Sequence, residues 1–327
     1  MIRWGILGCG SIARKFASDL KFVEGSELVA VGARELATAE VFAKDFPARY
    51  RYGSYEELVQ NTEVDVIYIA TPHAFHHQHA LLCLKHKKAV LCEKAFAMNT
   101  REAKEIIDVA RAQGVFIMEA FWTLLLPHYQ RVKELIAGGA LGQINYLYAE
   151  FGFIPPHPVK PRLFDPHLGG GSLYDIGVYN VFLALDILGR PDTIQASMTK
   201  ASSGIDAQCS VEFAYNSGAI AQLFSSLSVH LPGVANIAGD KGRIHFLHDY
   251  HKPSTDVEYY EGTATKGEQV AFEKAAGFGY EYEARHVTEC LQKGLLESPV
   301  LTHELTLLVM ETLDQIREKA GIRYPMD

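Results

Sequence analysis

The chain has 327 residues, 48% of them hydrophobic, which is enough apolar material for two packed domains. Its formal net charge of −8, with 21% charged residues, offers no basic surface for nucleic acid or an anionic membrane, and no apolar run nears the ~20 residues of a membrane span. Cys9, Cys83, Cys92, Cys209 and Cys290 are scattered and never spaced CxxC, and no cleavage pattern follows Met1–Leu7, so they read as reduced thiols of a cytoplasmic protein.

Ile2–Leu7 is a strand-like apolar run that feeds directly into Gly8-Cys9-Gly10-Ser11-Ile12-Ala13. Gly8 permits a tight turn, Gly10 lets a phosphate oxygen reach the main chain, and the small Ala13 lets helix and strand pack closely. The amphipathic helix that follows begins near Ser11 and Ile12, so its unpaired N–H groups and positive dipole end face the phosphates. Strand, glycine turn and helix in that order predict a dinucleotide site. Glu27–Gly32 is the second strand. At its end an NAD enzyme presents an acid to the ribose 2′-hydroxyl, whereas this chain has Ala33-Arg34, which suits the 2′-phosphate of NADP. The alternative is a solvated Arg34 with Glu35 as the acid, which would favour NAD.

A short strand at Arg49–Tyr52 precedes a helix from Ser54, which Ser54 can cap with Glu57. Val64–Ala70 is a β-branched strand of the kind buried on both faces, ended by Thr71-Pro72. Helix Phe75–Lys85, strand Ala89–Glu93, helix Thr100–Gln113 and strand Val115–Glu119 continue the alternation. It predicts an α/β doubly wound parallel sheet, a Rossmann domain over residues 1–120. His73, His76, His77 and His79 share helical faces, but no acid or cysteine nearby completes a ligand set, so no metal is expected. His76 reads instead as a group that orients backbone near the nicotinamide. Glu93-Lys94 stands at the carboxyl end of the fifth strand, where ligands sit in open α/β sheets. Burial and a positively charged nicotinamide would both lower the Lys94 pKa, which suits it to polarise a carbonyl or help take a hydroxyl proton. The alternative is a surface lysine.

From Phe121 the pattern changes, and residues 121–327 read as an α+β domain with a large, mainly antiparallel open sheet. Phe121 and Trp122 either pack between domains or wall a substrate pocket. A helix at Pro127–Ala137 and an alternating run at Gln143–Phe151 lead to a Pro/Gly-rich loop, Pro155–Gly171, and an apolar helix, Ser172–Leu188. Five or six further strand-like runs lie between Thr193 and Phe272, with hairpin signals at Asn216-Ser-Gly218 and Asp240-Lys-Gly242. Helices follow at Tyr280–Lys293 and Thr302–Lys319. Asp175 and Tyr179 are spaced for one helix face amid apolar neighbours, where polar groups need partners. Asp175 could simply complete a capping box with Ser172 while Tyr179 bonds within the core. A cation such as Lys94 nearby would instead lower the Tyr179 pKa from ~10 toward the working range. Ala207–Tyr215 and Ala219–Val229 alternate so that one sheet face can cover the apolar helix. The other face, still carrying apolar groups, can meet a second copy.

Several segments together resemble the Gfo/Idh/MocA oxidoreductases, over essentially the whole chain. They are the glycine loop, Thr71-Pro72-x-x-x-His76, Val90-Leu-Cys-Glu93-Lys94, Gly169-Gly-Gly-Ser-Leu-Tyr-Asp175-Ile-Gly177-Val-Tyr179, Tyr282-Glu283-Ala284-Arg-His286-Val287 and Gly294-x-x-Glu297-Ser298-Pro299. Met118-Glu-Ala-Phe-Trp122 with Tyr179 looks most like the branch of dimeric dihydrodiol dehydrogenases and NADP-dependent D-xylose dehydrogenases. By position, the resemblance implies Lys94 as catalytic lysine, Tyr179 as acid/base, Asp175 as the site aspartate, and Trp122 and Phe151 as substrate-pocket aromatics. Gly8, Gly10, Ser11, Ile12, Arg34, Thr71, Pro72, His76, Glu93 and Lys94 make up the expected cofactor set. One departure is Ala95, where the family usually has a proline that helps set the strand-end turn. The expected activity is NADP-dependent hydride transfer between nicotinamide C4 and a carbinol or carbonyl carbon of a sugar, polyol or trans-dihydrodiol, with NAD less favoured, in a homodimer joined through the second-domain sheet. The alternatives are a reductase of a non-sugar carbonyl and a non-catalytic NADPH sensor, and the Lys94–Tyr179 pair argues against the sensor.

Overall fold

The computed structural model describes residues 1–156 and 161–327. The chain packs as two units, Met1–Leu125 with Ala275–Leu307, and Leu126–Lys274 with Leu308–Asp327. The first unit is built on six strands, β1 (Ile2–Leu7), β2 (Ser26–Gly32), β3 (Tyr50–Tyr52), β4 (Val66–Ile69), β5 (Ala89–Glu93) and β6 (Ile117–Ala120). They form one sheet in the order β3-β2-β1-β4-β5-β6, parallel throughout. The order reverses between β1 and β4, so the loops after Leu7 and Ile69 open side by side, which is where such sheets take ligands. Helices α1 (Ser11–Leu20), α2 (Leu36–Asp45), α3 (Tyr55–Gln60), α4 (His76–Lys85) and α5 (Thr100–Gln113) supply the crossovers. Ser54 accepts the Glu57 N–H at 3.2 Å and Asn99 the Glu102 N–H at 2.9 Å, so both α3 and α5 start at side-chain caps. β4 and β5 are buried along their whole length, as β-branched strands covered on both faces must be. The core behind β1 is aromatic, with Phe16 stacked on Tyr68 at 3.9 Å and tilted against Trp4 at 5.2 Å. Helix α2 has no counterpart in the sequence reading.

The second unit contains α6 (Pro127–Ala137), β7 (Ile144–Gly152), α7 (Val178–Leu188) and strands β8 (Thr193–Lys200), β9 (Asp206–Ala214), β10 (Ile220–Ser226), β11 (Ala235–Gly239), β12 (Gly242–Phe246), β13 (Val257–Glu261) and β14 (Glu268–Gln269). Its eight-stranded sheet runs β14-β13-β12-β11-β7-β10-β9-β8, with β7 and β10 parallel and every other pair antiparallel. Along β9 the side chains of Cys209, Val211 and Phe213 are buried while Ser210 is exposed, the alternation of a sheet with one covered face. Helix α7 lies against β7 and β10. Pro166–Leu188 passes a test of length and composition for a membrane span, but it carries His167, Asp175 and Asp186, and 83% of its most apolar 18-residue window is buried inside the protein. Its last eleven residues, α7, are the core helix of this unit. The start of the expected Ser172–Leu188 helix is also different: Leu173–Gly177 forms one π turn before α7 proper begins. The expected Pro155–Gly171 loop lies partly outside the described residues.

Two helices close the chain, α8 (Tyr280–Gln292) and α9 (His303–Ala320), and the division between units falls within α9. The sequence reading placed α8 with residues 121–327, whereas it packs on α1 and β1 of the first unit. Asp19 Oδ2 accepts the Tyr280 N–H at 3.0 Å, Ser26 meets Thr288 at 2.8 Å, and the Tyr280 ring stacks on Trp122 at 4.5 Å. These side chains hold the segment to the parallel sheet more firmly than its place in the sequence implies.

Candidate functional site

The glycine loop stands at the carboxyl end of β1. Gly8 has φ +100°, and a Cβ there would meet the Ala70 carbonyl oxygen at 3.0 Å, so only glycine fits this turn. Gly10 is exposed and open, its nearest would-be neighbour 4.0 Å away, and it precedes α1 as an N-cap that no side chain occupies. The first turn of α1, with Ser11 and Ile12, carries no acid. A main chain stripped of side chains at a helix N-terminus fits a pyrophosphate. Arg34 follows β2, exposed, and enters no ion pair among the described residues. Glu35 beside it is likewise exposed and serves as the N-cap residue of α2.

The loops after β4 and β5 are tied to one another. His76 is fully buried, and its Nε2 meets the Thr71 carbonyl oxygen while Nδ1 meets that of Ala95, both at 2.8 Å. The Thr71 hydroxyl meets His79 Nδ1 at 3.0 Å, and burial, with His76 nearby, holds His79 down to about 4, so that its ring is neutral. One imidazole thus fixes Thr71-Pro72 against the turn that follows Lys94. The Lys94–Ala95 peptide bond is cis. Lys94 is partly exposed, whereas Glu93 is buried, accepting from the Tyr68 hydroxyl and, at 3.3 Å, from the Lys94 N–H. Burial and the neighbouring Glu93 push the Tyr68 hydroxyl well above its ordinary range. Two further acids sit in this region, each in a segment that carries the family resemblance but with no role read for it from the sequence. Glu119, at 1% exposure, accepts the Phe96 N–H at 3.0 Å. Glu283 is fully buried with no hydrogen-bond partner on either oxygen among the described residues, and burial, with Glu93 and Asp19 nearby, pushes its carboxyl well up. Among the described residues no group of three or more His, Cys, Asp or Glu is arranged to hold a metal ion.

The second unit presents the other polar group of residues. Asp175 lies in the π turn and Tyr179 in the first turn of α7, both 8% exposed. Asp175 Oδ1 accepts from Arg162 Nη2 at 2.8 Å, an arginine on the preceding loop that the sequence reading missed. The capping-box alternative fails. Ser172 has helical dihedrals and donates to Asp206 Oδ2 at 2.8 Å, and the same oxygen accepts the Leu173 N–H at 2.6 Å. Asp206, brought in from β9, therefore caps the turn in place of Ser172. The Tyr179 ring lies 6.0 Å from Phe151 and 5.2 Å from His251, and Phe151 stacks on His251 at 4.0 Å. Phe151 also packs on Leu163, Ile176 and Leu227, an apolar wall beside the Asp175 turn. His251 likewise lacks a sequence signal, since it comes from the loop after β12, far along the chain. Of the expected site residues, the first unit holds the cofactor set and Trp122, and the second holds Phe151, Asp175 and Tyr179.

Residues 2–121 match the oxidoreductase family with an NAD-binding Rossmann fold, and residues 129–245 match the Gfo/Idh/MocA C-terminal domain. The chain is 38% identical over 339 residues to trans-1,2-dihydrobenzene-1,2-diol dehydrogenase of Mus musculus, covering 100% of this chain and 99% of that protein. It is 36% identical over 333 residues to the Bos taurus protein of the same name, with 100% and 99% covered. Among solved structures, a 3-ketoreductase from Actinomadura kijaniata in complex with NADP and TDP-benzene superposes with a TM-score of 0.87 at 24% identity, over 98% of both chains. An aldose-aldose oxidoreductase from Caulobacter crescentus complexed with glycerol gives 0.88 at 22% identity, over 98% of this chain and 97% of that one. At those identities the structures speak for the fold. The parallel sheet with its glycine turn, the eight-stranded second sheet and full-length kinship at this level place the chain in the Gfo/Idh/MocA family of oxidoreductases, its first unit an NAD-binding Rossmann domain.

Proposed function

We propose that the protein is an NADP-dependent dehydrogenase of a trans-dihydrodiol or an aldose, acting on a secondary carbinol or the matching carbonyl. The observation that carries this reading is the full-length 38% identity to a dihydrodiol dehydrogenase, joined to an exposed Arg34 where an NAD enzyme presents an acid. Bound NADP would supply the hydride acceptor at nicotinamide C4. Gly8, Gly10, Ser11 and Ile12 take the pyrophosphate on main-chain N–H groups, and Arg34 meets the 2′-phosphate. Thr71, Pro72 and Glu93 line the nicotinamide half, with His76 fixing the backbone between them. Lys94 and Tyr179 serve one substrate oxygen, Lys94 holding it by charge and Tyr179 exchanging its proton, while Asp175 with Arg162 steadies the helix that bears the tyrosine. Trp122 and Phe151 face the carbon skeleton of the substrate. Much of the rate comes from holding both reactants in register, an effect that supplies ~7–11 kcal/mol. The same reading makes the protein a cytoplasmic homodimer, in keeping with five free cysteines and a sheet with one open face.

Cofactor and substrate are tested together. Wild-type protein should reduce NADP with trans-dihydrodiols or aldoses and bind NADP tighter than NAD. Arg34→Ala should cost about ten- to a hundredfold in NADP affinity, the worth of one charge-assisted contact, with NAD binding nearly unchanged. Equal wild-type affinities for the two cofactors would remove Arg34 from the reading.

A further inference from the structure

Glu119 ends one strand away from the Glu93–Lys94 pair, opposite Cys92 in the register of β5 and β6. Its Oε1 accepts the N–H of Phe96, which lies just past Lys94, and Thr306 also acts on this carboxyl, favouring its charged form. The Lys94 turn therefore hangs on two anchors, His76 at the Ala95 carbonyl and Glu119 at the Phe96 N–H. A buried carboxyl is a costly way to hold that N–H, because an amide or an alcohol would cap Phe96 at lower desolvation cost.

We propose that Glu119 is a positioning residue for Lys94, fixing the Lys94–Phe96 turn while neutral and, once ionised, holding the proton on Lys94 by its charge. This rests on the reading of Lys94 as the group that meets the substrate oxygen. Burial is the largest influence on Glu119 and raises it, as does Glu93; Thr306, the Phe96 N–H and Lys94 work the other way, and the balance stands at about 8. The other ionisable groups at this place are the Cys92 thiol, pushed up by burial and by Glu119 itself, and His303 on α9, whose Nε2 is engaged by the Ile117 carbonyl at 3.1 Å. The acid thus titrates within the range in which a dehydrogenase works, and Lys94 is among the charges that act on it.

Glu119→Gln keeps an acceptor for the Phe96 N–H and removes the ionisation. Lys94 is read directly by 13C NMR titration of reductively methylated protein, its resonance assigned by its loss in Lys94→Arg. It should titrate about one unit lower in Glu119→Gln than in wild type, the effect of losing an opposite charge. Wild-type kcat should show a break near pH 8 that Glu119→Gln lacks, with the KM for NADP little changed. An unshifted Lys94 resonance overturns the proposal. A shifted resonance beside an unchanged kcat profile upholds Glu119 and removes Lys94 from the chemistry, which Lys94→Met at the wild-type rate would establish separately. Thr306→Val is the second variant and leaves the acid in place. It withdraws a group that favours the charged form, so the break should move upward, and a break that stays put counts against the proposal.

Discussion

The Tyr179 hydroxyl is the group whose loss should be felt most cleanly. Phenylalanine retains the packing against Phe151 and His251, at 6.0 and 5.2 Å, and gives up only the proton-bearing oxygen. Tyr179→Phe should lower kcat by about 10²–10⁴ with NADP affinity nearly unchanged, as read by steady-state kinetics and cofactor fluorescence titration. Turnover within a few-fold of wild type would pass the acid/base role to Lys94. Residues of this kind are legible in a sequence because their backbone position announces them: a lysine at a strand end, a tyrosine one helical turn from an aspartate. Glu119 had a comparable signal, an acid at the carboxyl end of an apolar strand beside Glu93-Lys94. Glu283 stood in the Tyr282–Val287 segment with no role attached to it, and His251 and Arg162 had no signal. Their neighbours, respectively Glu93, Phe151 with Tyr179, and Asp175, are brought to them only by the tertiary fold.

At the level of elements, the π turn at Leu173–Gly177 sets where the Tyr179 side chain emerges, because a wider turn shifts every later residue around the helix axis. Two close approaches enforce it. A Cβ on Gly177 would come within 2.8 Å of Ser225 Oγ, and Asp206 takes the Leu173 N–H from the side. Neither is visible in hydropathy, which is why the segment reads as one continuous helix. Strands were far more legible, since alternation in β9 and β-branched runs in β4 follow from which faces are covered. Asp206 makes the turn sensitive to pH. Burial raises its carboxyl to about 6 despite the hydrogen bonds from Leu173 and Ser172. A folded-state pKa above the unfolded ~3.9 contributes stability that is complete below about pH 4 and lost as pH rises through 6. Asp206→Asn removes that contribution while keeping an acceptor for Leu173. Its Tm should therefore decline less between pH 4.5 and 7 than that of wild type, by roughly 2 kcal/mol in unfolding free energy. Parallel declines in the two proteins would show that Asp206 is not the group responsible.

For the whole molecule, the eight-stranded sheet covers α7 with one face and leaves the other to solvent or to a partner. Ile220 at the start of β10 is 40% exposed and Val229 beyond its end 39%, among polar neighbours such as Ser210 and Gln222. A flat mixed face of this kind suits a twofold interface. Sedimentation equilibrium at micromolar concentration should give twice the 36.3 kDa of one chain, and a mass near 36.3 kDa would reject the dimer. The two-sheet plan was legible from the alternation of strands and helices alone. That residues 275–307 rejoin the parallel sheet was not, because proximity along the chain is the default guess for proximity in space. This return has a consequence for how the protein is made. Synthesis runs from the amino end, so the nascent Rossmann sheet leaves the ribosome with Asp19 and the Trp122 ring still awaiting Tyr280. The whole of the second sheet is translated before that helix exists. The cofactor-binding unit is begun first and completed only after the second sheet, and a nascent chain cut short anywhere before α8 leaves it without a wall.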